Sequence, residues 1–195
     1  MDHYFSEKPT SEETIFKISV NALGLSFEML SASGLFSKDA LDTASKLLIE
    51  KSKISGTKGL DLGCGNGVVG ICILKKYPAT EVVFSDINER AVKICEKNLN
   101  KLKLKGKVIK SDLFEKISGE FDFILSNPPY AAGRDVCFKL IEESFNHLKK
   151  RGTLQIVARH NKGGKILSEK MENVFESVEA LAKSGGFRVY MSVKN

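Results

Sequence analysis

The order of apolar and polar positions predicts that short strands and amphipathic helices alternate through most of this chain. Five apolar runs have the length of buried strands: KGLDLG, TEVVFSD, GKVIKSD, FDFILSN and TLQIVAR, which begin at residues 58, 80, 106, 121 and 153. Between most of these runs, apolar residues recur three or four positions apart, as on one face of a helix. Such an alternation is typical of an α/β domain with a mostly parallel sheet.

The beginning of the chain departs from this alternation. TIFKISV (14–20) and LSFEMLSASGLF (25–36) lie on either side of a glycine and predict a short β-hairpin. SKDALDTASKLLIEKS (37–52) then predicts a helix, with Ser37 as its N-cap and the leucines on one face.

The last part of the chain predicts two helices and a closing pair of strands. DVCFKLIEESFNHLKKRG (135–152) predicts a helix that ends at its glycine, with a basic last turn that the helix dipole favours. GGKILSEKMENVFES (163–177) predicts the second helix. VEALAKS (178–184) and FRVYMSV (187–193) have no helix between them, so we expect an antiparallel hairpin at the sheet edge.

The composition changes this picture little. A chain of 195 residues with 42% hydrophobic and 28% charged residues is ordinary for a globular protein. We expect an N-terminal extension, residues 1–55, packed on one main domain, residues 56–195. The sequence has no long apolar run, and its polar N-terminus lacks the basic and apolar regions of a signal peptide, so we expect neither a membrane span nor secretion.

The four cysteines and three histidines show no pattern of metal ligands or disulfides. No two cysteines are spaced as C-x-x-C, and the histidines are scattered along the chain. We therefore expect no metal site, reduced thiols and a cytoplasmic location.

The net charge of +6 indicates a basic surface. Such a surface attracts polyanions such as RNA. A lysine-rich surface that only contacts water has the same net charge, so charge is compatible with a nucleic-acid partner without establishing one.

The segment LDLGCGNGVVG (60–70) is the first candidate for ligand chemistry, because it follows a strand and opens a helix. Its glycines allow a sharp turn and a close approach of the backbone to a ligand, beside the free N–H groups of a helix N-terminus. Gly65, Gly67 and Gly70 match the dinucleotide pattern G-x-G-x-x-G, and Asp86 follows at about the distance expected for a ribose ligand. A nicotinamide cofactor is therefore one candidate.

Asp61 favours a different cofactor, because it stands just before the glycine turn, where a carboxylate would repel a pyrophosphate. A cofactor with a cationic ammonium group and no phosphate suits this position, and S-adenosylmethionine has both properties. Asp86, at the end of the second strand of this alternation, is then expected to bind both ribose hydroxyls. Asp112, at the end of the third, is expected to contact the adenine amine. Acidic residues at three successive strand ends predict a cofactor site.

LDLGCGNGVVG, SDINERAV, KSDLFE and SNPPY, in this order, resemble the motifs of the class I S-adenosylmethionine-dependent methyltransferases over about residues 35–195. The resemblance implies a Rossmann-like α/β fold: a seven-stranded, mostly parallel sheet with an antiparallel last strand and helices on both faces, here with a hairpin and helix extension. Besides the three aspartates, the cofactor-binding residues that it implies are Gly63, Cys64, Gly65, Asn66, Gly67, Ile87, Asn88, Leu113 and Asn127.

The sequence Asn127-Pro128-Pro129-Tyr130 ends the fourth strand of the alternation with two prolines, which cannot continue a central strand. In methyltransferases that it resembles, the methyl acceptor is a planar amino nitrogen. The resemblance implies that the Asn127 side-chain oxygen and the Pro128 carbonyl accept its N–H groups, that Pro129 stiffens the turn and that Tyr130 stacks on the acceptor. A turn in which the asparagine caps its own backbone is the structural alternative.

The segment GLFSKDALDTASKLL (34–48) is similar to one in the small-domain methyltransferase family. This family includes RsmC-like enzymes, which methylate the exocyclic amine of a guanine in small-subunit ribosomal RNA, and single-domain archaeal relatives, which this chain resembles most. The resemblance implies that Phe36, Ser37 and Asp42 lie near the cofactor. A helix with a capped start explains the same residues. The RsmC-like bacterial enzymes have an additional N-terminal domain, so the RNA target stays open.

Basic residues follow two of the predicted strands and are candidates for binding the substrate. Arg134 lies just beyond the Asn-Pro-Pro-Tyr motif. The loop ARHNKGGK (158–165) contains Arg159 and Lys162, which together with His160 and Lys165 are able to form a track for phosphates. A loop that only contacts water is the alternative in both cases.

The sequence therefore predicts an S-adenosylmethionine-dependent N-methyltransferase that acts on guanine in ribosomal RNA. A protein methyltransferase acting on glutamine amides is the main alternative, because such enzymes also use Asn-Pro-Pro-Tyr, but they usually have a separate helical substrate domain. A small-molecule amine methyltransferase is a weaker alternative. A non-catalytic binding module is disfavoured by Asn127 and Asp61, whose geometry it would not require.

Overall fold

The computed structural model describes residues 14–35 and 40–195, and it contains a two-stranded and a seven-stranded sheet. The strands are β1 (Ile15–Ala22), β2 (Leu25–Ala32), β3 (Lys58–Leu62), β4 (Glu81–Asp86), β5 (Lys107–Lys110), β6 (Phe121–Ser126), β7 (Leu148–Arg159), β8 (Glu179–Ser184) and β9 (Phe187–Val193). The α-helices are α1 (Thr43–Lys51), α2 (Val68–Lys76), α3 (Glu89–Lys101), α4 (Arg134–Asn146) and α5 (Lys165–Phe175). No helix within the described ranges has the length and apolar character needed to cross a membrane.

The large sheet has the strand order β5-β4-β3-β6-β7-β9-β8, and β9 runs antiparallel to both of its neighbours. The other strands are parallel to one another, so their carboxyl ends meet at one edge of the sheet. This confirms the predicted seven-stranded α/β sheet and the closing antiparallel hairpin. In such sheets ligands bind outside the carboxyl edge.

Helices cover both faces of this sheet, as predicted. One apolar core contains Leu48 of α1, Ile71 of α2 and Leu99 of α3, and it also takes in Val20 and Met29 of the β1–β2 hairpin. The core on the other face is formed with α4 and α5, whose buried residues include Leu140, Ile141, Leu167 and Met171. The hairpin predicted near the start of the chain is confirmed, since β1 pairs antiparallel with β2.

Helix α1 begins later than the sequence suggested. The predicted helix 37–52 was too long, because the helix starts at Thr43 and its N-cap is Asp42, whose carboxylate accepts a hydrogen bond from Ser45 N at 2.9 Å. Ala40 forms a β-bridge to Ser19, so the chain is extended there and not helical. Ser37, the predicted cap, lies outside the described residues, as does Phe36.

The prediction of a helix over 135–152 was wrong at its end, because α4 stops at Asn146 and the next residues belong to β7. Leu148 is buried and pairs with Phe121 of β6. Lys149 Nζ lies 2.8 Å from Asp122 Oδ1, so this lysine joins two strands instead of compensating a helix dipole. A long-range ion pair of this kind leaves no local signal in the sequence.

Candidate active site

A cavity of about 180 Å³ opens at the carboxyl edge of the sheet, where β3, β4, β5 and β6 end. We call it the first cavity. Six residues that the sequence predicts as cofactor ligands line it: Gly63, Asp86, Ile87, Asp112, Leu113 and Asn127. The lining also includes Pro129, which the sequence predicts as a stiffener of the turn, and residues that the sequence did not single out, among them Ser85, Ser111, Val136 and Leu140. Residues from four strand ends therefore meet in one place, as the parallel sheet requires.

The glycine loop forms one wall of the first cavity. Gly63 has φ of +71°, and a Cβ atom placed on it would meet nothing within 4 Å. The backbone N–H groups of Gly63 and Cys64 both donate to Ser85 O, at 2.8 and 2.9 Å, which fixes the loop to β4. Gly67 has φ of +85° and lies so close to α3 that a Cβ would be 2.6 Å from Cys95 Sγ. The loop is thus open toward the cavity and tightly packed behind it.

Asp61 lies behind the loop and is not among the residues that line the first cavity. It is buried, and its Oδ2 accepts a hydrogen bond from Gly70 N in the first turn of α2 at 2.8 Å. The pKa of Asp61 is raised to about 7, and burial is the largest cause of this rise. The hydrogen bond from Gly70 opposes the rise, and the negative charge of the nearby Asp86 adds to it. In this structure Asp61 joins β3 to α2, and its predicted contact with a cationic group stays a prediction.

Asp86 is held by two backbone groups at the end of β4. Its Oδ2 accepts from Gly65 N and its Oδ1 accepts from Asn88 N, both at 2.9 Å. A carboxylate accepts hydrogen bonds at both of its oxygens. The carboxylate is therefore fixed in position, as a group that binds two neighbouring hydroxyls must be.

Several predicted cofactor ligands shape the loop and do not line the first cavity. Asn88 caps α3 through a bond from Arg90 N at 2.9 Å. Asn66 is buried, and its backbone oxygen accepts from Asn98 Nδ2 at 2.9 Å. Cys64 is also buried, and burial followed by the neighbouring Cys95 raises the pKa of its thiol. The bond to Asn66 ties the glycine loop to α3, and Asn88 stabilises the start of that helix.

The Asn127–Tyr130 segment forms a tight turn at the end of β6. Pro129 has φ of −76° and ψ of 71°, and Tyr130 N donates to Pro128 O at 2.8 Å, which together define an inverse γ-turn. The proline ring favours this φ, so the turn is rigid. The turn occupies one lone pair of the Pro128 carbonyl oxygen, and the second lone pair remains for another donor.

Asn127 lies on the boundary between two cavities. Its Nδ2 donates to Ser45 Oγ of α1 at 3.3 Å, which leaves the side-chain oxygen as the group that is able to accept. Ser126 Oγ donates to Leu62 O at 2.7 Å and fixes the strand end just before it. Asn127 lines the first cavity and also a neighbouring one, so this residue borders both.

The neighbouring cavity has a volume of about 330 Å³ and lies on the β7 and β9 side of the turn. We call it the second cavity. Its lining residues are Asn127, Pro128, Tyr130, Val157, Ala158, Arg159, Lys162 and Phe187. The Arg159 guanidinium lies 4.7 Å from the centre of the Phe187 ring. Two of the predicted substrate-binding residues therefore adjoin the Asn-Pro-Pro-Tyr turn.

Arg134, the third predicted substrate-binding residue, is not among the residues that line either cavity. It begins α4, and its guanidinium lies 5.8 Å from the Phe138 ring. Asp42 is at the N-terminus of α1, where it bonds to Ser45, the partner of Asn127. Its predicted contact with the cofactor stays a prediction.

The sequence reasoning missed Ser45 and Phe187. Ser45 had a signal, because it is a polar residue on the apolar face of α1, where a buried hydroxyl needs a partner. Phe187 had none, since its place in the second cavity depends on β9 lying beside β7.

The first cavity fits a nucleoside cofactor without phosphates. Within the described residues, its lining contains two carboxylates, Asp86 and Asp112, and no lysine or arginine. A pyrophosphate there would meet negative charge without a cation to compensate it. Ribose hydroxyls and an adenine amine, by contrast, are donors that these carboxylates are able to accept.

The family model described as "Methyltransferase small domain" matches residues 26–191. The protein YbxB of Bacillus subtilis is 33% identical over 99% of this chain and 98% of its own length. Ribosomal RNA small subunit methyltransferase C of Haemophilus influenzae (strain PittEE) is 40% identical over 85% of this chain. The chain spans about half the length of the curated methyltransferase C relatives that it matches, 50% in that case.

Solved structures show the same fold. The 16S rRNA N2 G1207 methyltransferase RsmC of T. thermophilus, in complex with AdoMet and guanosine, aligns with a TM-score of 0.80 at 24% identity, over 96% of this chain and 52% of that one. A methyltransferase from Pyrococcus furiosus aligns with a TM-score of 0.67 at 22% identity, over 76% and 80% of the two chains.

Proposed function

We propose that this chain, which belongs to the methyltransferase small-domain family and uses S-adenosylmethionine as its cofactor, methylates the exocyclic amino nitrogen of a guanine in small-subunit ribosomal RNA. One observation carries the proposal. The rigid Asn127–Tyr130 turn separates an acidic cavity that fits a nucleoside from a cavity lined by Arg159 and Lys162. A methyl donor and an anionic acceptor would then meet at Asn127.

The first cavity would hold the cofactor, which supplies an electrophilic methyl group on a positively charged sulfur. Asp86 would accept the ribose hydroxyls, and Asp112 at the end of β5 would accept the adenine amine. The glycine loop at Gly63 leaves room for the ligand, because no side chain projects into the cavity there. The ammonium group would adjoin the loop in front of Asp61.

Asn127 and Pro128 would orient the acceptor nitrogen in the second cavity. The Asn127 side-chain oxygen and the second lone pair of the Pro128 carbonyl would accept its two N–H groups. Because the lone pair of such a nitrogen is delocalised into the ring, it is a weak nucleophile, and fixed acceptors allow it to become pyramidal. As the bond from nitrogen to the methyl carbon formed and the bond from sulfur to that carbon broke, the positive charge would pass from sulfur to nitrogen. The nitrogen proton would become acidic and would leave to water, so orientation and electrostatics would supply most of the acceleration without a strong base.

Several relatives are named as small-subunit ribosomal RNA methyltransferases, which supports ribosomal RNA as the substrate. Guanine is suggested by the T. thermophilus enzyme of the same fold, which is named as an N2 G1207 methyltransferase. The net charge of +6 and the cations beside the second cavity support an anionic substrate. Tyr130 is partly exposed at this cavity, where its ring is available to stack on a planar base.

The test is methyl transfer from radiolabelled S-adenosylmethionine to small-subunit ribosomal RNA, transfer RNA and a release factor, assayed in parallel. We expect label in the ribosomal RNA and, after digestion to nucleosides, on N2-methylguanosine. Label found only on the release factor would reject the RNA acceptor and support the glutamine-amide alternative. Label on another nucleoside would reject guanine while leaving an RNA methyltransferase.

A further inference from the structure

Five basic residues follow the carboxyl edge of the sheet from the second cavity to the β8–β9 hairpin. These residues are Arg159, Lys162, Lys165, Lys183 and Arg188, and we call them the basic rim. Arg159 ends β7 and Lys162 lies in the following loop, and both line the second cavity. Lys183 and Arg188 lie on β8 and β9, on either side of the turn at Gly185 and Gly186.

Two cations of the basic rim face each other directly. Lys183 is the register partner of Arg188 across the antiparallel β8–β9 pair. Like charges in this position destabilise a sheet. In the part of the chain that the structure describes, no carboxylate lies within 4 Å of Lys183 or Arg188, nor of Arg159 or Lys162, although ion pairs occur elsewhere. Lys165 alone has an acidic partner, Glu169 at 3.9 Å. The opposed cations repel each other and lower the stability of the hairpin, and an anion bound between them would reduce this repulsion.

The basic rim is held in a fixed arrangement by His160. His160 N donates to Gly186 O at 3.0 Å, and its Nδ1 lies 2.7 Å from Tyr190 Oη. These bonds join the loop that carries Arg159 and Lys162 to the hairpin that carries Lys183 and Arg188. Burial, and then the charges of Arg188, Lys165 and Lys183, lower the pKa of His160.

We propose that the basic rim binds the phosphate backbone of a single-stranded RNA segment that leads into the second cavity. The inference rests on the proposed function in one respect, namely that the methyl acceptor is RNA. The rim extends along β7, β9 and β8, which are neighbours in the sheet, and two strand spacings amount to about 9.5 Å. It is therefore long enough to contact successive phosphates beside the base that enters the second cavity.

The test compares RNA binding by two double variants with equal loss of charge. Lys183→Gln with Arg188→Gln removes the directly opposed pair. Lys105→Gln with Lys107→Gln removes two exposed lysines at the opposite, amino edge of the sheet and is the matched control. The dissociation constant for fluorescein-labelled oligouridylate is measured at several salt concentrations, together with methyl transfer to small-subunit ribosomal RNA and the melting temperature.

We expect the rim variant to bind oligouridylate roughly tenfold more weakly at about 0.1 M salt, with a salt-dependence slope smaller by about 1.4, since each phosphate contact with a single strand contributes about 0.7. The control variant should retain the wild-type slope. The melting temperature of the rim variant should stay the same or rise, because a like-charge pair is removed. This result excludes unfolding as the cause of weaker binding.

The outcomes separate the rim from the proposed function. If the wild type labels ribosomal RNA but the rim variant keeps the wild-type slope, the rim assignment is overturned and the proposed function stands. If the salt dependence of oligouridylate binding is weaker in the rim variant than in the wild type, while the wild type labels no RNA, the rim is supported as an RNA-binding surface and the proposed function fails. Binding of polyglutamate as tight as that of oligouridylate at equal charge would overturn the assignment to RNA and indicate an acidic protein partner.

Discussion

The two cavities beside the Asn127–Tyr130 turn lie at the same edge of the same sheet, yet they have opposite charge. Within the described residues, the first is lined by Asp86 and Asp112 without a cation, and the second by Arg159 and Lys162 without a carboxylate. The difference follows from what comes after each strand. At the first cavity, β4 leads into the N-terminus of α3, where an acidic side chain such as Asp86 is stabilised. The turn that follows β5 brings Asp112 to the same cavity. In the second, β7 leads into a loop beside an antiparallel strand.

A parallel sheet only brings the ends of its strands together. The chemistry of each site comes from the connection that follows each strand. Asn127 is the residue common to both cavities, so variants at and around it test whether the two sides work as donor and acceptor sites.

The largest expected effect is that of Asn127→Ala. We expect methyl transfer to fall by roughly 100- to 1,000-fold, because one fixed hydrogen-bonding group at the reacting atom is lost. Cofactor affinity, measured by calorimetry, should change only a few-fold, because the first cavity keeps Asp86 and Asp112. The exposed Asn100→Ala is the control, and turnover near that of the wild type in Asn127→Ala would end the acceptor-orienting role.

Asp61→Asn should change how stability depends on pH. The folded protein holds the Asp61 carboxyl proton up to a pKa of about 7, whereas the unfolded chain releases it near the ordinary value of 3.8. The contribution of this group to stability is therefore greatest below about pH 4 and is lost as pH rises toward 7, by a few kcal/mol at most, or roughly 1.4 per pKa unit. Urea denaturation across this range should show a smaller loss in the Asn variant.

Asp122→Asn is the matched control for this pH experiment, with the opposite sign. Burial acts to raise the pKa of Asp122, but bonds from Lys149 and from the backbone N–H groups of Lys58 and Thr57 outweigh it and lower the pKa. Its stabilisation is present above the ordinary pKa of an aspartate and is lost as pH falls. Equal pH dependence in both variants would contradict the assignment of a raised pKa to Asp61.

Gly163→Ala should act on the second cavity alone. A Cβ at Gly163 would lie 1.8 Å from Tyr130 Cζ, so the Tyr130 ring has to move. We expect KM for the RNA to rise by roughly tenfold, about 1.4 kcal/mol, with cofactor affinity unchanged. Gly24→Ala is the control, because its φ is also positive but no atom lies within 4 Å. An equal effect of Gly163→Ala in a Tyr130→Ala background would show that the ring is not the cause.

The smallest expected effect is that of Ser45→Ala. This change removes the hydroxyl that accepts from Asn127 Nδ2 at 3.3 Å, so the amide is held less firmly. We expect kcat to fall by a factor of about five, or ~1 kcal/mol, which is the usual contribution of one hydrogen bond. Ser192→Ala, another buried serine, should leave kcat unchanged. No difference between the two variants would mean that α1 does not orient Asn127.

Much of the fold was predictable because its signals are local. The strand and helix periods, the glycine turn after β3 and the acidic residues at strand ends all depend on short spacings in the sequence. The predictions of local structure were wrong where a residue distant in the sequence decides that structure. The basic run near Lys149 looked like a helix end, but its ion pair with Asp122 and the pairing of Leu148 with Phe121 draw it into β7.

The sequence by itself determined the order of the elements, the rigid Asn127–Tyr130 turn and the carboxylates of the first cavity, because proline, glycine and periodicity act over a few residues. Only the tertiary structure decided that β9 lies between β7 and β8 and brings Phe187 to the second cavity. It also decided that Ser45 meets Asn127 from 82 positions away and that Lys183 faces Arg188. Such contacts depend on how distant strands and helices pack, which no local spacing records.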